Sequence, residues 1–113
     1  MKVAVVGSRT LSVENLNDYL PDGTTEIISG GAKGIDTCAK EYCTKNNIKI
    51  NEFFPEYKMY GKGAPIVRNR KIIDEADFVL IFWDGKSRGT KFVINECEKQ
   101  NKRHKVYILK SEV

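Results

Sequence analysis

Short apolar runs alternate with segments of helical period along almost the whole chain, and that alternation limits the fold more than any other feature. Lys2–Val6 is a β-branched run ending at Gly7, as a strand covered on both faces does. Glu26–Ser29, Ile48–Phe54 and Lys105–Leu109 are further strand segments, and Phe78–Trp83 is the most hydrophobic, the natural centre of a sheet. Between them the apolar spacing changes. Ile35, Cys38, Ala39, Tyr42 and Cys43 recur at i, i+3, i+4, i+7 and i+8, one face of a helix closed by Asn46-Asn47. Ser12 is a good N-cap for a helix carrying Val13, Leu16, Tyr19 and Leu20, stopped by Pro21-Asp22-Gly23. Pro65 suits the first turn of a third helix with Ile66, Ile73 and Ala76 inward, after a long loop from Pro55. Phe92, Val93, Ile94 and Cys97 mark a fourth helix, entered from the loop Asp84–Gly89. The expected fold class is therefore α/β: a Rossmann-like, three-layer α/β/α domain with a central, mainly parallel five-stranded sheet.

The chain has 113 residues, the size of one domain, so 1–113 is read as a single unit. Its 41% hydrophobic and 30% charged content is that of an ordinary folded domain. No apolar run approaches the ~20 residues of a membrane span, so no membrane partner is expected. The first residues carry no signal-peptide pattern and read as a strand. Three cysteines and a single histidine, His104, lack CxxC or metal-ligand spacing, which argues for small buried thiols, no metal site and a cytoplasmic location. A net charge of +4 permits an anionic partner without requiring nucleic acid.

The distribution of glycine carries the chemical signal. Of nine glycines, eight (Gly7, Gly30, Gly31, Gly34, Gly61, Gly63, Gly85 and Gly89) follow an expected strand, and Gly23 alone precedes one. In an open parallel sheet these loops share the carboxyl edge, where ligands bind at the topological switch point. Arg9, Lys33, Lys62, Arg68, Arg70, Lys86 and Arg88 lie in or next to the same loops. Backbone amides at helix N-termini, with cationic side chains around them, are what a phosphate requires. Each piece also has a plainer reading. Gly7-Ser8-Arg9 is a common turn, Asp36 suits the first turn of any helix, and Ser87-Arg88-Gly89-Thr90 reads equally as a polar loop with a Thr N-cap. Arg68 and Arg70 do not share a helical face, so at least one is a surface residue. Trp83 and Tyr60 have aromatic faces for a base, although a Trp ending a core strand is more simply packing. Two familiar phosphate fingerprints are absent: there is no GxGxxG after the first strand, and Gly30–Gly34 lacks the Lys-Ser/Thr pair of a P-loop.

Taken together, Val6-Gly7-Ser8-Arg9, Ser29-Gly30-Gly31-Ala32-Lys33-Gly34-Ile35-Asp36, Arg68-Asn69-Arg70-Lys71-Ile72 and Trp83–Thr90 resemble the SLOG superfamily of Rossmann-like domains. That superfamily includes the DNA-processing protein A recombination mediators and the Lonely Guy phosphoribohydrolases, and the resemblance is to its small single-domain branch. It implies a nucleotide or nucleotide-derived phosphate ligand, sensed or processed, and assigns no certain cofactor. Gly7, Ser8, Arg9, Gly30, Gly31, Lys33, Gly34 and Asp36 would form one side of the site. Asp84, Ser87, Gly89 and Thr90 would form the other, with Arg68 and Asn69 between. The phosphoribohydrolases carry a PGGxGTxxE motif, whereas here the residue three past Thr90 is Val93. The catalytic residues therefore stay unknown, and a hydrolase would have to use Asp36, Asp84 or Glu96 instead. Single-stranded DNA binding, by analogy with the mediators, is the less favoured partner: Lys99, Lys102, Arg103, Lys105 and Lys110 lie near the opposite end of the chain, where a last-turn Lys/Arg cluster more simply complements a helix dipole. A homo-oligomer is compatible with all of these readings.

Overall fold

A computed structural model describes residues 1–111 and shows the α/β architecture directly. Five strands, β1 (Lys2–Gly7), β2 (Glu26–Ser29), β3 (Lys49–Glu52), β4 (Phe78–Trp83) and β5 (His104–Ile108), form one sheet in the order β3-β2-β1-β4-β5. Every pairing is parallel. The helices are α1 (Ile35–Asn46), the single turn α2 (Tyr57–Tyr60), α3 (Ala64–Glu75) and α4 (Arg88–Gln100).

The inner strands β1, β2 and β4 are mostly apolar because both their faces are covered, whereas the edge strands β3 and β5 carry charged residues. Val3, Val5, Ile27, Leu80 and Phe82 point to one face, where Ile35, Ala39 and Cys43 of α1 meet them. Ala4, Ile28, Val79 and Ile81 point to the other, against Ile72 and Ile73 of α3 and Val93, Ile94 and Cys97 of α4. Successive residues alternate between the two cores because strand side chains alternate with period two. Among the described residues no helix is long and apolar enough to cross a membrane. The cysteines are free thiols; Cys43 and Cys97 are buried and Cys38 partly so.

The segment after Ser12 departs from expectation. It is not a helix but a loop with one 3-10 turn, Leu16–Asp18. Its apolar side chains still reach the core, with Leu11, Val13 and Leu16 buried against the α1 face. Asn, Asp and Ser disfavour helix here by bonding locally. The Asn15 side chain donates to Asp18 Oδ2 at 2.7 Å, and the Val13 amide donates to Cys38 Sγ at 3.4 Å. Three smaller differences follow. β3 is shorter than Ile48–Phe54, α2 interrupts the loop after Pro55, and Ile66 is 44% exposed rather than inward. α3 instead buries Ala64, Ile72 and Ile73.

Topology also opens the sheet at one edge. From β1 the chain moves outward through β2 to β3, then returns to lay β4 on the other side of β1. The loops leaving β1 and β4 therefore diverge to opposite faces, and a crevice opens between them at the carboxyl edge.

Candidate functional site

The crevice is a cleft of about 470 Å³. It is lined by Val6, Gly7, Arg9 and Thr10 after β1, and by Gly30, Ala32 and Asp36 after β2. Asn69 and Ile72 of α3 and Asp84, Lys86, Ser87, Gly89 and Thr90 after β4 complete it. Nine of the fourteen expected site residues line it: Gly7, Arg9, Gly30, Asp36, Asn69, Asp84, Ser87, Gly89 and Thr90. Ser8, Gly31, Lys33, Gly34 and Arg68 do not.

Ser8 is a support rather than a lining. It is 1% exposed, and its hydroxyl accepts from the Asp84 amide at 3.1 Å and bonds the Thr90 hydroxyl at 3.4 Å. It thereby ties the β1 loop to the β4 loop from below. Gly34 is required by the fold: its φ is +72°, and a Cβ there would lie 2.6 Å from the Arg9 carbonyl oxygen. A Cβ on Gly7 would likewise overlap Ile35. Close backbone approach at these two glycines serves packing of the loops on each other. Lys33 is exposed outside the cleft.

Asp84 organises the β4 loop. Its Oδ1 accepts from the amides of Lys86 at 2.9 Å and Ser87 at 2.8 Å, and its Oδ2 accepts from the Thr10 hydroxyl at 2.8 Å. These donors, the Ser87 and Lys86 amides foremost, hold its carboxyl at about 2. A carboxylate so engaged is a poor proton acceptor, and its role is to shape the loop. Ser87, not Thr90, is the N-cap of α4; its hydroxyl faces the Thr90 amide at 3.5 Å and the Thr90 hydroxyl at 3.2 Å. The Trp83 ring donates Nε1–H to the Ser87 carbonyl at 3.0 Å, so this Trp braces the loop.

On the β2 side, Asp36 is 7% exposed and accepts from the Ala32 amide at 3.0 Å. Burial pushes its carboxyl above the ordinary range, opposed by the Ala32 amide, the Arg68 charge and the Ser29 hydroxyl. Arg68 donates Nη1–H to the Gly30 carbonyl at 2.8 Å and Nε–H to Asn69 Oδ1 at 2.8 Å. Burial pulls its guanidinium below the usual value while Asp36 opposes this. Arg70, two residues on, points away to Glu96 at 3.9 Å and the Phe92 ring. Glu96 is thus paired outside the cleft, which removes it as a catalytic substitute.

Among the described residues, the cleft leaves cationic side chains without acidic partners. Its two carboxylates are occupied by donors of the protein itself, while Arg9 and Lys86 carry no ion pair among the described residues. The first turns of α1 and α4 follow directly on the loops that line it. Thr10, Ala32 and Lys86 are lining residues that the sequence reading left out of the site. The cationic loop pattern contained Lys86, but nothing local distinguishes Thr10 or Ala32. Among the described residues no group of His, Cys, Asp or Glu forms that could hold a metal ion. The basic residues near the end of the chain do not form one surface. Lys102 and Arg103 precede β5 at the amino edge, Lys102 donating to the Ala76 carbonyl at 2.7 Å, and Lys110 follows β5 at the other edge. Comparison with family models, curated proteins and solved structures returns no match.

Proposed function

We propose that the cleft binds the phosphate of a nucleotide or nucleotide derivative, and that the chain is a nucleotide-binding module of SLOG type, acting as a sensor. The observation that carries this reading is the pair of unpaired cations, Arg9 and Lys86, facing a crevice built from glycine-rich loops and the first turns of two helices. Dipole and amides at those turns favour a negative charge between them. A binding role fits better than hydrolysis because Asp84 is committed to its loop and Glu96 lies elsewhere. Asp36 alone favours a hydrolytic reading, as a protonatable carboxyl in the cleft wall.

Thermal unfolding against a panel of nucleotides, NAD and ADP-ribose derivatives tests the proposal. A ligand at a hundredfold excess over its Kd is expected to add ~2.7 kcal/mol of stability. No shift with any phosphate-bearing compound would remove the reading. Release of free base from a bound nucleotide, lost in Asp36→Asn, would convert the module into a hydrolase.

A further inference from the structure

The large apolar side chains that stand most exposed among the described residues are not scattered. Phe54, Tyr57, Met59, Tyr60 and Ile66 fall within one short stretch, and Ile108 alone lies elsewhere. A concentrated apolar patch on a small domain marks a ligand or partner site. Here it borders a groove of about 420 Å³ between the end of β3 and α2–α3, within the size range of small-molecule sites. Phe53, Phe54, Tyr60 and Val67 line it, with the Glu52 and Glu56 carboxylates also in its wall.

The groove adjoins the cleft. Arg68 lines the groove and bonds Gly30 and Asn69, both of which line the cleft. Phe54 lies over Gly31, so closely that a Cβ on Gly31 would overlap its ring. One guanidinium and the Gly30-Gly31 backbone therefore divide two compartments, one with unpaired cations and one aromatic.

Resting on the reading that the cleft holds a nucleotide phosphate, we infer that this groove takes the base, a purine bearing an exocyclic amine. Aromatic side chains stack on the face of any base, and a purine offers the larger face. The carboxylates select among bases, since an ionised carboxylate can only accept and an exocyclic amine offers two N–H donors. Glu56 meets Lys71 at 3.3 Å, an exposed pair that an amine displaces at little cost as the base takes the place of Lys71 over the Tyr60 ring, and the mostly buried Glu52 meets Lys40 at 3.9 Å. The concave shape and its continuity with the cleft favour this occupant over a second copy of the chain, whose stable dimer would need ~1,200–2,000 Å² of buried surface.

Calorimetric titration of the full chain with AMP, GMP, UMP and ribose 5-phosphate tests the inference. AMP or GMP is expected to bind about tenfold tighter than ribose 5-phosphate. UMP is expected to fall between them. Tyr60→Ala should close that gap while leaving ribose 5-phosphate affinity unchanged. Phe54→Leu, which keeps an apolar contact over Gly31, should narrow it. Equal binding of all four ligands by the unmodified protein, or a gap that survives both substitutions, would overturn the base subsite alone. UMP binding as tightly as GMP would overturn selection by the carboxylates. Binding of none, ribose 5-phosphate included, would remove the phosphate cleft and the subsite together. A dimer in sedimentation that Tyr60→Ala dissolves and AMP does not would assign the groove to a second copy.

Discussion

Gly89 separates what the fold needs from what a ligand needs. It is the second residue of α4, and its backbone is not left-handed. A Cβ built on it meets nothing within 4 Å, yet it lines the cleft. Gly7, Gly30, Gly31 and Gly34 are explained by close internal contacts, and Gly61 and Gly85 by positive φ. Neither reason applies to Gly63 or Gly89, and of these two Gly89 is the one that lines the cleft. Gly→Ala where the backbone is compatible stabilises a protein by ~0.4–1 kcal/mol, chiefly by restricting the unfolded chain. For a domain of this size that raises Tm by ~2–6 °C. If a phosphate approaches the first turn of α4, the same methyl group stands in its path. Gly89→Ala is therefore expected to melt higher without ligand and to bind its best nucleotide at least about tenfold more weakly, ~1.4 kcal/mol. Scanning calorimetry and titration on the same samples check both halves. A variant that is more stable and binds equally well would refute the claim that this glycine is kept for a ligand. A lower Tm would refute the assignment of open space around it.

Three further outcomes follow from the site's construction. Asp84 has its carboxyl depressed to about 2 from 3.8, so its stabilisation is complete above 3.8 and is lost as pH falls toward 2. Asp84→Asn should lower Tm at neutral pH and flatten the acid limb of stability over that window, read by circular dichroism at stepped pH. Gly34→Ala puts an L-residue at φ +72° with its Cβ against the Arg9 carbonyl, and should cost at least ~2 kcal/mol in urea unfolding. Ser8→Ala removes the buried acceptor of the Asp84 amide and should cost ~1–2 kcal/mol. Protection of the Asp84–Thr90 amides in hydrogen exchange should fall in the same variant.

The sheet was legible because burial on both faces leaves an unmistakable pattern. β2 and β4 fall on Glu26–Ser29 and Phe78–Trp83, as their apolar runs require. The segment from Ser12 to Leu20 misled because helical spacing records only which residues must be buried, and a loop clasped to the core buries Val13 and Leu16 equally well. What decided the backbone was local bonding by Asn15 and Asp18 and the long-range contact of Val13 with Cys38. At the site, the glycine-rich loops announced the cleft, but their chemistry did not announce which residues face it. Ser8 and Gly34 belong to the scaffold, and the internal donors that occupy Asp84 come partly from Thr10, a distant residue in sequence. Arg68 and Arg70 divide as their spacing required, one inward to Gly30 and one outward to Glu96.

Backbone amide spectra of the isotope-labelled chain, recorded while AMP or GMP is added, test the central claim most directly. Shift changes are expected to concentrate in Gly7–Thr10, Gly30–Asp36 and Asp84–Thr90, the loops around the cleft. Changes confined to the amino edge near Lys102 and Arg103, or none at saturating nucleotide, would contradict it.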